Sequence, residues 1–254
     1  MNTRAFWEAG PHMVSLRNQL RWDELLFAKA LVHSATGKNV LDVGCGSGAL
    51  SAFLASRGST VIGLDFSSVM IDAAKTNFGQ TDSLKFIQAD ILSADLDEQF
   101  DVICGRLVLH EISSENTPEL LAFFDRHLKA DGFGYFQENS FFNPFARLMR
   151  KRLVGRYGIP KYGSEQEMPF DKARFLMYKH HFKYCERSGE VFSLFEKIHA
   201  YLIRSGNRNL SNKFINLDQR FSRLGIPDVV TRNFSYLQHI YFSNAYPKSQ
   251  VVRG

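Results

Sequence analysis

Three glycines at alternate positions, Gly44, Gly46 and Gly48, stand between an apolar run ending in Asp42-Val43 and another beginning at Ala49. Alternating glycines sustain neither a strand nor a helix, so the chain must turn here, and tightly. The run before them, 39–43, is short and almost continuously apolar, as a strand buried on both faces is. The run after them, 49–57, is spaced as a helix. A strand that passes through a bare-backbone turn into a helix is one βα unit of an open α/β sheet. With no Cβ atoms, the turn can take positive φ and let a ligand approach the main chain closely.

The same alternation continues downstream. The patterns predict strands over 60–64, 84–88, 100–104 and 134–138, with helices over 69–78 and 118–128. Such alternation implies βαβ units and a doubly wound, mostly parallel sheet. Apolar positions from Leu16 to Leu31 recur at helical spacing and predict one or two N-terminal helices. Beyond residue 170 the expectation is a helix over 171–182, a strand over 190–198, helices near Ala200 and over 211–224, and a last strand over 234–242. The chain is thus expected to form one α/β domain, with a cover at 1–37, a core at 38–140, an insertion at 141–170 and a closing part at 171–254.

Ligands of an open α/β sheet sit beyond the carboxyl ends of its strands, and acids recur at those ends. Asp42 precedes the glycine loop, Asp65 ends the second strand and Asp90 follows the third. The dinucleotide fingerprint G-x-G-x-x-G does not fit, because the third glycine comes one residue early and Asp42 would repel a pyrophosphate. A carboxylate there suits the cationic end of a ligand. Asp65 can accept both hydroxyls of a ribose, although it could also cap the helix beginning near Ser67. Asp90-Ile91 offers a polar and an apolar contact to the amino group and face of an adenine. A nucleoside-bearing cofactor is therefore expected.

Taken together, LDVGCGSG, Asp65, Asp90-Ile91 and FDVICGRLVLHEI resemble the class I S-adenosylmethionine-dependent methyltransferases, particularly their small-molecule branch, over residues 38–138. The resemblance implies a Rossmann-like seven-stranded sheet with one antiparallel member, N-terminal helices and a helical lid. It further implies S-adenosyl-L-methionine as methyl donor and S-adenosyl-L-homocysteine as product. The residues expected around that cofactor are Asp42, Gly44, Cys45, Gly46, Gly48, Asp65, Phe66, Asp90, Ile91 and Arg106. A sulfonium methyl is already activated, so holding the reacting atoms in line can supply up to ~7–11 kcal/mol. A base is needed only where the acceptor must lose a proton, as a hydroxyl must. His110, with an ordinary pKa of about 6.5, and Glu111 beside it follow the fourth strand and are the candidates. Trp7, His12, Glu138, Arg147, Tyr157 and Tyr162 are the candidates for lining the acceptor pocket.

Charge narrows the acceptor. Residues 1–140 carry 11 Lys and Arg against 18 Asp and Glu, a formal −7, while residues 141–254 carry 20 against 8, a formal +12. An asymmetry of that size concerns a partner. The insertion opens with Asn143-Pro144, a helix start, and continues as an apolar stripe flanked by Arg147, Arg150, Lys151 and Arg152. Such a helix is either a solvated face or a surface for an anionic or amphipathic acceptor, small or lipid-linked, with peripheral contact to an anionic membrane. The fourth-strand motif lacks the Asn/Asp-Pro-Pro-aromatic loop that clasps a flipped base, so nucleic acid is not an expected partner. No apolar run reaches the ~18 residues of a transmembrane helix, and the first residues lack the apolar core of a secretory signal. A cytoplasmic protein with reduced thiols is expected, Cys45, Cys104 and Cys185 being odd in number and unclustered. No metal is expected either: His180-His181 reads as helix-end charge. The alternative to an enzyme is a cofactor-binding protein without catalysis that acts through its basic helix.

Overall fold

A computed structural model describes residues 19–20, 22–139, 142–144, 147–148, 152, 170–191, 195, 208–222 and 227–246. Helix α1 (Trp22–Ala35) leads into β1 (Asn39–Val43), and α2 (Ala49–Ala55) follows the glycine loop. Then come β2 (Thr60–Asp65), α3 (Ser68–Phe78), β3 (Leu84–Gln88) and β4 (Phe100–Arg106). Two short 3₁₀ turns (Leu109–Glu111 and Ser114–Asn116) precede α4 (Thr117–His127), which hands directly to β5 (Leu128–Asn139). The remaining elements are α5 (Lys172–His181), β6 (Tyr184–Val191), α6 (Arg208–Ser222), α7 (Asp228–Phe234) and β7 (Leu237–Ser243).

The seven strands form one sheet in the order β3-β2-β1-β4-β5-β7-β6. All neighbours are parallel except at β7, which is antiparallel to both β5 and β6. Successive residues of a strand face opposite sides, and the central strands divide their side chains between two cores accordingly. Val40, Val102 and Tyr135 pack with Phe27 and Leu31 of α1 and Leu54 of α2. Leu41, Ile103 and Phe136 pack with Leu120 and Phe124 of α4, Phe182 and Phe242. The expected doubly wound sheet is therefore present, and the strands expected over 39–43 and 84–88 coincide with β1 and β3.

Three expectations are corrected in the closing part. The strand expected over 190–198 is β6, centred several residues earlier. Residues 184–189, YCERSG, are polar enough to resemble a loop, yet an edge strand paired on one side tolerates such side chains. Residues 228–234 form α7, a helix the sequence did not suggest. Its presence delays the last strand to Leu237. The helix expected near Ala200 lies outside the described residues.

A buried polar chain fastens α1 to the sheet. The Arg106 guanidinium donates through Nη1 to Glu24 of α1 at 3.2 Å and through Nε to Gln137 Oε1 at 2.7 Å. With its oxygen so engaged, the Gln137 amide turns its NH₂ to Nε2 of His239, 2.9 Å away. That nitrogen must accept, so the ring is neutral with its proton on Nδ1, where Tyr135 Oη lies at 2.6 Å. Burial, assisted by Arg106, pushes the His239 pKa down to about 3, in agreement with a neutral ring.

Between β5 and β7 the fit is close. Gly134 stands opposite Phe242, and a Cβ at Gly134 would overlap the Phe242 ring. Gly134→Ala should therefore lower stability by ~1–3 kcal/mol, read as an earlier urea midpoint at unchanged slope. Combining it with Phe242→Leu should cost less than the two changes summed. Strict additivity would show that the strands accommodate the methyl elsewhere.

Candidate active site

The glycine loop joins β1 to α2 at the carboxyl edge of the sheet. Gly44, Gly46 and Gly48 all take positive φ, at 66°, 53° and 86°. Space is as restrictive as conformation. A Cβ on Gly44 would come within 2.6 Å of Val108 and one on Gly48 within 2.7 Å of Phe86. The amides of Gly44 and Cys45 both donate to Leu64 O, at 2.7 and 3.1 Å, which ties the loop to the end of β2. Cys45 is buried, and burial pushes its thiol well above the ordinary range.

Two buried acids flank the loop. Asp42, 1% exposed, accepts from Ser51 Oγ of α2 at 2.6 Å. Burial raises its pKa to about 7. The Ser51 hydrogen bond opposes the rise and the charge of nearby Asp65 adds to it. Asp65, at the end of β2, accepts from the Gly46 amide through Oδ2 at 3.0 Å and from the Ser67 amide through Oδ1 at 2.9 Å. Its pKa too is raised by burial, against those amide bonds. Asp65 does not cap α3; Ser67 does, accepting from Met70 N. Phe66, half-buried between the two, receives Gln88 Nε2 on its carbonyl at 3.3 Å.

Asp90 follows β3 and folds back on its own turn, Oδ1 accepting from Leu92 N at 3.0 Å, while Ile91 is buried in the core beneath α4 and α5. Arg106 closes β4 and engages Glu24 and Gln137 as described.

The segment after β4 is held by Glu138. Its buried carboxylate accepts from the amides of Val108 at 2.9 Å and Leu109 at 2.7 Å through Oε1. Oε2 lies 2.7 Å from Nδ1 of His110. Leu107, just before, has φ 55°, the lone non-glycine at positive φ among the described residues, so the backbone turns sharply where Glu138 grips it. His110 is buried, and its Nε2 stands 3.6 Å from Glu111 Oε1. The structure thus joins His110, Glu111 and Glu138 in one cluster, and Val108 packs that cluster's backbone against Gly44.

Arg147 is exposed on the insertion. Trp7, His12, Tyr157 and Tyr162 lie outside the described residues. His181 pairs with Asp125, Nε2 to Oδ2 at 2.9 Å. Sequence reading did not find Ser51, Gln137 or Val108. Each acts through a partner distant in sequence, and none carries a motif of its own.

Residues 40–132 match the family described as a methyltransferase domain. A ubiquinone biosynthesis O-methyltransferase of Pseudomonas fluorescens (strain SBW25) is 40% identical over 78 residues, 29% of this chain and 34% of the relative. Another of the same name, from Pseudomonas putida (strain W619), is 41% identical over 81 residues, 30% of this chain and 35% of the relative. The match thus spans about a third of the length of these curated relatives. Among solved structures, N-methyltransferase NodS from Bradyrhizobium japonicum WM9, in complex with S-adenosyl-L-homocysteine, superposes with a TM-score of 0.56 at 18% identity, over 74% of this chain and 89% of that one. A TehB-like SAM-dependent methyltransferase from Corynebacterium glutamicum gives 0.52 at 17% identity, over 86% and 87%. These two likenesses concern the fold, and they have the sheet order and flanking helices described above. With its family match, its strand order and its glycine loop flanked by buried acids, the chain belongs to the class I S-adenosylmethionine-dependent methyltransferases.

Proposed function

We propose that the chain transfers a methyl group from S-adenosylmethionine to an oxygen of a small or lipid-linked acceptor. The observation that carries this reading is the pairing of a bare glycine loop with two buried carboxylates at one end of the sheet. Buried acids with raised pKa values gain from a cationic ligand, and the cofactor has a sulfonium and an ammonium. A carboxylate offers about four acceptor directions, so Asp65 keeps capacity for ribose hydroxyls beyond its bonds to the Gly46 and Ser67 amides. Asp90, with Ile91, is assigned to the adenine. When bound, the cofactor supplies an activated methyl.

The protein's own chemistry concerns the acceptor. With Nδ1–H donated to Glu138, His110 presents Nε2 as the base that takes a hydroxyl proton. Glu138 fixes the ring and steadies the imidazolium once formed. Glu111, 3.6 Å from Nε2, adds negative charge on the receiving side. Choice of oxygen over nitrogen rests on this base and on the name shared by the partial relatives, ubiquinone biosynthesis O-methyltransferase. Arg147 is assigned to the acceptor's approach.

Calorimetric titration should find S-adenosylmethionine binding in the wild type. Asp65→Ala should weaken it by about 2–4 kcal/mol if both ribose bonds are lost. Absence of wild-type binding would end the reading; unchanged affinity in the variant would remove Asp65 from the site. His110→Gln should reduce turnover by ~10²-fold or more with cofactor affinity nearly intact. Turnover like that of the wild type would make His110 structural.

Asp42 gives a pH dependence of definite sign. Its pKa rises from 3.8 to about 7 on folding, so in that window the native protein holds a proton the unfolded chain has lost. Its contribution to stability is full below 3.8 and is lost as pH rises through about 7. Asp42→Asn should therefore gain in melting temperature over wild type more at about pH 8 than at about pH 4. A cationic ligand requires the ionised form. Cofactor affinity in the wild type should rise between about pH 5.5 and 7.5 and flatten in Asp42→Asn; parallel profiles would remove Asp42 from the ligand's field.

A further inference from the structure

The outer side of α7 and the start of the insertion expose apolar side chains that the methyl-transfer reading leaves unused. Val229 is 66% exposed and Leu148 54%, and Val230 and Phe234 are exposed as well. These are not loose ends. The backbone of α7 at Thr231 lies so near Gly189 of β6 that a Cβ there could not be accommodated. Arg187 of β6 donates to Arg232 O and to Gln238 Oε1, and its guanidinium stacks on Phe142 at 3.5 Å. Asn143 Nδ2 then donates to Phe234 O, which binds the insertion to the end of α7. The two apolar segments are thus fastened to each other and to the sheet, their outer sides turned to solvent.

Cations surround them. Arg147, Arg152 and Arg232 are exposed, within a part of the chain whose formal charge is +12. The position is also specific. β7 begins at Leu237 opposite Asn139, where β5 ends, one residue beyond Glu138. The surface therefore lies at the same edge of the sheet as the glycine loop and the His110 cluster. From this juxtaposition we infer that α7 and the insertion form a docking surface for an anionic lipid bilayer, with the apolar side chains entering the headgroup boundary and the arginines meeting lipid phosphates. Docking by this edge turns the candidate site toward the membrane. The inference goes beyond the methyl-transfer reading and does not depend on it.

Sedimentation with vesicles tests it, using phosphatidylcholine alone and phosphatidylcholine mixed equally with phosphatidylglycerol. The whole chain should bind the mixed vesicles at low salt, bind the neutral ones far less, and release as salt rises. Arg152→Gln with Arg232→Gln should weaken binding about 25-fold, from ~5-fold per cation. Val229→Ser with Phe234→Ser should weaken it while leaving its salt dependence unchanged. Circular dichroism and calorimetry with S-adenosylmethionine should show both double variants folded and loaded normally, so that failure of the lipid surface is read apart from failure of the cofactor site. The inference is overturned if wild type ignores the mixed vesicles at low salt, if it binds neutral vesicles equally, or if the variants bind as wild type does. It is also overturned if the chain self-associates and Val229→Ser with Phe234→Ser yields monomers, because the surface would then serve a second copy.

Discussion

A carboxylate inside a strand that is flanked on both edges and covered on both faces is the constraint around which the rest is arranged. Asp42 occupies that position in β1, between β2 and β4. Hydration is denied to it, so its cost must be met by a hydrogen bond, a proton or a ligand. Ser51 supplies the first from the opening turn of α2, which obliges the helix to start close to the strand's end. Only a turn without Cβ atoms allows so short a passage. The glycine loop and the buried acid are thus two requirements of one arrangement, and together they leave a carboxylate that gains from any cation brought to the loop.

The second organising group is Glu138. One carboxylate holds two successive amides and an imidazole, so the segment after β4 is fixed from β5, its neighbour in the sheet. That segment in turn places Val108 against Gly44. The cofactor loop and the proposed base are therefore positioned against each other through packed atoms, as a methyl transfer with in-line geometry demands.

The elements up to residue 138 were legible because strands buried on both faces leave continuous apolar runs, and because glycines and acids mark their ends. The edge strand β6 was misplaced for the opposite reason: with one partner, Tyr184 to Gly189 need not be apolar, whereas the run from Val191 attracts a strand assignment by composition alone. Helix α7 is seven residues long and preceded by Gly-Ile-Pro, too short for a period to emerge. Within the site, Asp42, Asp65 and the glycines announced themselves by position. The roles of Ser51, Gln137 and His239 did not, since each depends on a partner brought close only by the folded sheet; His239 and Gln137 are 102 residues apart.

The strand order has a consequence for the chain as it is synthesised. β7 lies between β5 and β6, yet it is made after both. Asn139 of β5 waits for Leu237, 98 residues later, which at ~5–20 residues per second is roughly 5–20 s of translation. Throughout that interval β5 presents an unpaired edge, and β6, already made, has no place in the sheet. The emerging protein must hold its central strands together on the packing of β1 to β5 alone. The last strand then arrives as a wedge between two older ones, and Gly134, with no side chain opposite Phe242, is the notch that receives it.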